Sequence, residues 1–234
     1  MQNLDNEYRG LYNATTFRDY LNKTFIVIAI GLLISAGFAL IASFLFRMIP
    51  AGMILGAVIV SVLAELGIAV FFSARLTKME KQTAWLCYFI YCMVTGISLS
   101  FLLLAYTATS VVMAFVSTAV LFGCMAIIGY TTKVDLRKFG NLFFVGLLAI
   151  IIITLVNAFL IRSDMLSLLV CYLGILIFLG LIAFDLQKLR DLYNSGLADS
   201  TMAEKLLVYG AFELYLDFIN LFIRLLQIFG RRRD

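Results

Sequence analysis

Long apolar segments, separated by short polar ones, make up most of the chain. A helix needs about 20 consecutive apolar residues to cross the hydrocarbon core of a bilayer, and seven segments are long enough. These segments lie near residues 24–46, 51–74, 84–106, 109–131, 141–161, 165–186 and 203–229. The pattern therefore predicts an all-α integral membrane protein with seven transmembrane helices.

The predicted domain organisation follows from the same pattern. Residues 1–23 are polar and mixed in charge, and residues 13–19 could begin a short interfacial helix. Residues 24–229 form a single transmembrane domain, and residues 230–234 form a basic tail. The first apolar segment is too long for a signal-peptide core and lacks a small-residue cleavage site, so we interpret it as a retained helix.

The last apolar segment differs from the others because polar residues recur along one side of it. On a helix these residues form one narrow stripe, which comprises Tyr209, Glu213, Asp217, Asn220, Arg224, Gln227 and Arg231. A charge at mid-membrane costs about 2.5–3.5 kcal/mol on insertion scales, so such residues usually face the interior of a bundle. We therefore expect the C-terminal helix to be central, with other helices packed around its polar side.

The composition agrees with a membrane protein and removes several kinds of chemistry. Hydrophobic residues make up 63% of the chain and charged residues 14%, and the mean hydropathy is +1.04. Histidine is absent, which excludes imidazole metal sites and the Ser-His and Cys-His forms of catalysis. The sequence shows no nucleophile–base pair and no metal-ligating cluster. We therefore predict that the protein is not an enzyme and has no cofactor.

The cysteines and the net charge have ordinary interpretations. The four cysteines lie inside apolar segments without CxxC spacing, and we interpret them as small buried hydrophobic residues: Cys87, Cys92, Cys124 and Cys171. The net charge of +4 comes mostly from the ends of the segments, so it does not indicate nucleic-acid binding.

Lysine and arginine are concentrated in alternate connections. The N-terminal segment and the connections after the second, fourth and sixth apolar segments are basic, whereas the others hold only Arg47 and Arg162. The positive-inside rule then places the N-terminus in the cytoplasm. Seven crossings would put Arg231 and the arginines after it outside, against that rule. The sequence leaves open whether the last helix crosses the membrane or is re-entrant.

Two carboxylates are predicted to meet in the cytoplasmic half of the bundle. Asp185 ends the sixth segment on that side, and Asp217 lies about 14–20 Å into the seventh at about 1.5 Å per residue. Two carboxyl groups within hydrogen-bond reach do not easily both ionise, so they share a proton. A guanidinium nearby, such as that of Arg75, favours the doubly ionised state instead. This competition could sense pH in a chain without histidine.

Each candidate also has a structural alternative. Asp185 could be an interfacial residue before a basic loop, and Asp217 could form an ion pair with Arg224 on its own helix. The remaining candidates could occupy an interfacial position or make an ordinary hydrogen bond: Glu213, Glu65 and Arg75.

Several short stretches of the sequence resemble one known family. They are LYLDFINLF at 214–222, AFDLQK at 183–188, GYTTK at 129–133 and GISLS at 96–100. Over about residues 15–230 the chain resembles the Bax inhibitor-1 family, the BAX-inhibitor-motif membrane proteins with bacterial YccA-like and YetJ-like branches. The resemblance implies a seven-helix fold with a central last helix, in a bacterial inner membrane.

The resemblance also implies a function, a pH-sensitive calcium leak channel. In that function Asp185 and Asp217 are the pH sensor, and Arg75 corresponds to an arginine that latches the closed state. Calcium is then the permeant ion, and the protein is embedded in the lipid bilayer. Glu65 resembles an acidic residue proposed to line the ion path. The oxygen ligands that calcium prefers could be supplied transiently by Glu65, Glu213, Asp217 and Asn220.

Two other hypotheses belong to different classes. The YccA-like branch implies a regulatory membrane protein that binds and modulates a membrane protease or another membrane complex without conducting ions. The polar stripe would then be structural only. A proton-coupled transporter is the third hypothesis, and the absence of visible internal repeats argues against it.

Overall fold

The computed structural model describes residues 17–75, 78–194 and 200–231. Within these ranges seven helices are long and apolar enough to cross a membrane. The α-helices are α1 (Phe17–Phe46), α2 (Ala51–Arg75), α3 (Lys81–Ala105), α4 (Ala108–Thr131), α5 (Gly140–Val156), α6 (Asp164–Asn194) and α7 (Ser200–Phe229), and the fifth candidate span is Leu136–Ile161, which contains α5. A short 3₁₀ helix precedes α5 at Leu136–Phe139, and a π-helical turn follows it at Asn157–Ile161. The predicted all-α membrane fold is confirmed.

Two helices are longer than the apolar segments that predicted them. The first helix begins at Phe17 rather than near residue 24, because Tyr20 and Leu21 are already part of its buried face. The other residues of the predicted interfacial helix, 13–16, lie outside the described ranges. α6 continues past residue 186 to Asn194, since Leu189 extends its buried face into what the sequence predicted to be a loop.

α7 is the central helix of the bundle, as predicted. In its most apolar stretch 56% of the residues are buried, against 33% or less in each of the other helices. It packs against α1, α3, α4 and α6. These neighbours cover most of the middle of α7, so the polar side chains there must find partners on them.

Opposite faces of α7 meet different partners. On one face the hydroxyl of Tyr215 lies 2.6 Å from Ser35 Oγ, and that serine in turn donates to the carbonyl oxygen of Cys92 at 2.7 Å. α1 and α3 therefore cover this face through a buried hydrogen-bond chain. The stripe that begins at Tyr209 lies on the other side and faces α6, where Lys188 donates to Tyr209.

Close approach between helices depends on two glycines. A Cβ atom at Gly96 on α3 would lie 2.5 Å from the carbonyl oxygen of Ser35, and one at Gly129 on α4 would lie 2.7 Å from that of Ala183. In any larger residue at these positions, the Cβ atom would clash with the backbone of the facing helix. The contact between Gly129 and Ala183 sets how α6 is positioned along α4 near Asp185.

α7 crosses the whole length of the bundle. The backbone N–H of Thr107 donates to the carbonyl oxygen of Arg231 at 3.1 Å, and the N–H of Arg231 donates to Ser110 Oγ at 2.9 Å. Thr107 and Ser110 belong to the turn between α3 and α4. Phe17 lies at the other end of the bundle, where it stacks on Tyr130 near the end of α4. The structure therefore has a seventh crossing and not a re-entrant helix.

The cysteines differ in environment more than the sequence predicted. Cys92 and Cys171 are buried and Cys87 is half-buried, but Cys124 is exposed. The prediction is wrong for Cys124, because α4 turns this residue away from the core.

Candidate functional site

Asp185 on α6 and Asp217 on α7 meet inside the bundle. Their side chains adjoin each other and interact directly. Asp217 is only 5% exposed, and Asp185 is half-buried. Because an ionised carboxylate has acceptors and no donor, a hydrogen bond between them would require a proton on at least one of the two groups. The structure thus brings together the two aspartates that the sequence suggested as a pair.

One oxygen of Asp217 has no other donor available. Its Oδ2 atom is buried and accepts no hydrogen bond from an N–H or hydroxyl group of residues 17–75, 78–194 and 200–231. Buried polar atoms are nearly always partnered, since leaving one unsatisfied costs about 1–3 kcal/mol. A proton shared with the adjoining Asp185 would give this oxygen a partner.

A lysine one turn along α6 lies beside the aspartates. Lys188 Nζ donates to Glu213 Oε1 at 2.7 Å and to the Tyr209 hydroxyl at 3.0 Å. The charges of Lys188 and Glu213 both act on Asp185 and Asp217. Three carboxyl groups and one cation therefore share this region, and a proton gained or lost at the aspartate pair changes the charge of the whole cluster.

Gln187 connects the same turn of α6 to the loop between α4 and α5. Its Oε1 atom accepts from the N–H of Leu136 at 2.7 Å, and its Nε2 atom donates to the carbonyl oxygen of Val134 at 2.8 Å. Gln187 is itself buried. Three nearby residues of α6 thus make three different interactions. Asp185 adjoins Asp217, Gln187 binds the loop, and Lys188 forms the ion pair with Glu213.

The loop that Gln187 holds has its own ion pairs at the surface. Arg137 Nε donates to Asp135 Oδ1 at 3.1 Å, and its NH1 group lies 3.5 Å from Asp191 Oδ2. The hydrogen bond from Arg137 holds the pKa of the Asp135 carboxyl below its usual range. Asp135 therefore stays ionised near neutral pH and contributes nothing to a pH response there.

Two of the other predicted residues lie away from the aspartates. Arg75 ends α2 with an exposed side chain, and it forms no ion pair with any residue of the described ranges. That position fits its alternative interpretation as a positive-inside anchor. Glu65 is half-buried and accepts a hydrogen bond from Ser98 Oγ on α3.

The rest of the stripe makes local hydrogen bonds. Asn220 Nδ2 donates to the carbonyl oxygen of Leu216 at 2.8 Å, and Arg224 NH1 donates to Gln227 Oε1 at 3.3 Å. The alternative ion pair between Asp217 and Arg224 is therefore not formed. In the part of the chain that the structure describes, no group of three or more Asp, Glu or Cys side chains could hold a metal ion. The oxygens suggested for calcium are spread along α7 and α2.

Sequence reasoning missed Lys188 and Gln187 as members of the site. The charge pattern marks Lys188 only as a basic residue of a connection, although its spacing of three residues from Asp185 puts both on the same helix face. Gln187 gave no comparable indication, because its partners lie on the loop between α4 and α5, about 50 residues away in the chain.

Known proteins are similar in sequence to this chain over most of its length. The family model described as Inhibitor of apoptosis-promoting Bax1 matches residues 17–234. The chain is 41% identical over 173 residues to the inner membrane protein YbhL of Escherichia coli (strain K12), covering 74% of each protein. It is 37% identical over 223 residues to an uncharacterized protein of Borreliella burgdorferi, covering 92% of this chain and 93% of the relative. On this similarity the chain belongs to the Bax inhibitor-1 family of membrane proteins.

Proposed function

We propose that the protein is a pH-sensitive leak channel for cations, calcium in particular, in a bacterial inner membrane. The observation that carries the proposal is the direct approach of the Asp185 and Asp217 side chains inside the bundle, where Asp217 is buried. A carboxyl pair at a contact between two helices can act as a two-state element, because one proton decides whether the two groups attract or repel. The location is supported by the similarity to YbhL, which is named as an inner membrane protein. The proposal assigns no catalytic reaction.

In this proposal the shared proton and a cation compete for the aspartate pair. With the proton in place the two carboxyl groups attract each other and do not engage Arg75, which forms no ion pair with the described residues. Loss of the proton leaves two adjacent anions, which attract the nearest cations. The cation nearest to the aspartates is Lys188, which is held one helical turn away by Glu213. Arg75 would have to move from the end of α2 to reach them. We assign the latched, closed state to the ionised pair and opening to the protonated pair.

The ion path in this proposal follows the stripe of α7 along α6. Glu213, Asp217 and Asn220 would offer oxygen atoms in succession, and a permeating calcium ion exchanges its hydration for such oxygens readily. On α6 the buried Phe178 and Ile182 precede Asp185, so the path must widen at these apolar side chains to conduct. Such a constriction gates by excluding water.

Calcium flux into liposomes containing the full chain tests this function. The wild type should conduct more as the pH falls. Asp217→Asn keeps the shape of the side chain but cannot ionise, so its flux should not depend on pH. Asp191→Asn is the matched control, because Asp191 lies on the same helix as Asp185 and pairs with Arg137 at the surface, and it should keep the response.

Two results would overturn the proposal in different ways. A pH response that persists in Asp217→Asn would remove the aspartate pair as the sensor. Flux no greater than that of empty liposomes at any pH would remove the channel itself. Co-purification of a membrane protease together with absent flux would favour the regulatory alternative.

A further inference from the structure

A second polar region lies at the end of the bundle opposite the aspartate pair. It is a cavity of about 340 Å³ between the ends of α5, α6 and α7. Its polar lining includes Asn157, Asp164, Ser167, Cys171, Arg224 and Gln227. The proposed gate does not involve this cavity, so a ligand bound there is independent of whether the chain conducts calcium.

Arg224 is the residue that gives the cavity its chemistry. A Cβ atom at Gly174 would lie 3.2 Å from Arg224 Nε, so the glycine makes room for the arginine side chain against α6. Among the described residues the guanidinium donates to Gln227 Oε1, at 3.3 Å. No carboxylate of those residues lies within ion-pair distance of it. Because a guanidinium has five N–H donors, most of them remain for a ligand.

Gln227 adds further donors at the same place. Its Oε1 atom accepts from Arg224 and also from Cys171 Sγ at 3.1 Å, so the amide oxygen is oriented by two groups. Among the described residues the amide nitrogen of Gln227 donates to no partner, so its two N–H groups remain available to a ligand. Asn157 differs, because its Nδ2 atom donates to Ser163 and Ser167 and its Oδ1 atom accepts from Ser163.

We propose that this cavity binds a small organic monocarboxylate through Arg224 and Gln227. A guanidinium presents parallel N–H groups that match the two oxygens of a carboxylate. The volume is at the lower end of the range of about 300–1,000 Å³ typical of ligand pockets, which suits a small molecule. Asp164 also lines the cavity and is exposed. Its negative charge opposes a doubly charged anion, such as a phosphate dianion or a dicarboxylate, more strongly than a singly charged one, so a monocarboxylate is the better match.

Binding can be measured with acetate as the probe. Saturation-transfer NMR on the detergent-solubilised full chain should detect acetate bound to the wild type. The signal should be lost in Arg224→Gln and kept in Arg162→Gln, since Arg162 is an exposed arginine at the same end of the bundle. Equal signals from the wild type and Arg224→Gln would overturn the proposal, as would loss in both variants.

Cys171 offers an independent measurement, because it lines the cavity. In a variant with Cys87, Cys92 and Cys124 replaced by alanine, Cys171 is the only thiol. A negatively charged methanethiosulfonate should modify it faster than a positively charged one, and acetate should slow both. Arg224→Gln should reduce this charge preference about tenfold, which corresponds to ~1.4 kcal/mol. A preference unchanged in Arg224→Gln, or a thiol that neither reagent modifies, would contradict an anion site accessible to solutes.

Discussion

The ammonium group of Lys188 lies 2.7 Å from Oε1 of Glu213, one helical turn from the adjoining side chains of Asp185 and Asp217. An ion pair and a carboxyl pair therefore join α6 to α7 one helical turn apart. The same lysine acts electrostatically on both aspartates. Any change in the proton at the carboxyl pair must then alter how strongly Lys188 is held by Glu213, and this coupling can be measured.

The shared proton itself is the first prediction. An infrared titration of the full chain should show a carboxylic C=O band that disappears as the pH rises, because the bonded pair requires a proton and the ionised pair has none. The calcium flux should fall over the same pH range. Asp217→Asn should remove the band, whereas Asp164→Asn, at an exposed position, should leave it. A wild-type spectrum without such a band at any pH would contradict the shared proton.

The ion pair between Lys188 and Glu213 should contribute to the stability of the bundle. Lys188→Met leaves Glu213 without its cation, and we expect a loss of roughly 1–3 kcal/mol in the free energy of unfolding, as for other partly buried charges left unpaired. Glu213→Gln in the same chain should recover part of the loss, which a double-mutant cycle in detergent micelles would measure. Arg75→Gln is the control, and a loss there as large as in Lys188→Met would contradict this assignment.

The fold was more predictable from the sequence than the site. Seven long apolar segments and one polar stripe predicted the helices and the central position of α7, because both patterns are periodic along a single helix. Asp185 and Asp217 could be paired because each is an ionisable residue in a transmembrane segment, where an unpartnered charge costs free energy. Lys188 and Gln187 could not be placed, since their partners Glu213 and Leu136 lie on other elements and the register between helices is set by packing.

Gln187 should keep the loop between α4 and α5 in place. Gln187→Ala removes two buried hydrogen bonds and leaves the N–H of Leu136 and the carbonyl oxygen of Val134 without this partner. We expect a destabilisation of about 1–3 kcal/mol, the usual effect of an unsatisfied buried group. Hydrogen exchange at Leu136 should accelerate more than exchange in α7. Unchanged exchange at Leu136 would show that the loop does not depend on this side chain.

Two glycines on α4 should respond oppositely to the same substitution. Gly129→Ala would bring a Cβ atom to 2.7 Å from the carbonyl oxygen of Ala183, so α4 and α6 must separate and the thermal unfolding temperature should fall. At Gly123 a Cβ atom would meet nothing within 4 Å. There alanine should be neutral or stabilising by up to ~1 kcal/mol, since glycine is a poor helix former. Equal effects at the two positions would contradict the close contact of α4 with α6.

The two chain ends should lie on opposite sides of the membrane. The basic connections predict a cytoplasmic N-terminus, and Arg231 is held at the other end of the bundle by its backbone hydrogen bonds with Thr107 and Ser110. A single arginine cluster at the end of a seventh crossing is outweighed by three basic connections and the basic N-terminal segment. A C-terminal green fluorescent protein fusion should therefore be dark in bacterial cells, and a C-terminal alkaline phosphatase fusion should be active. Fusions made after Thr131 should behave in the opposite way, and a fluorescent C-terminal fusion would contradict this topology.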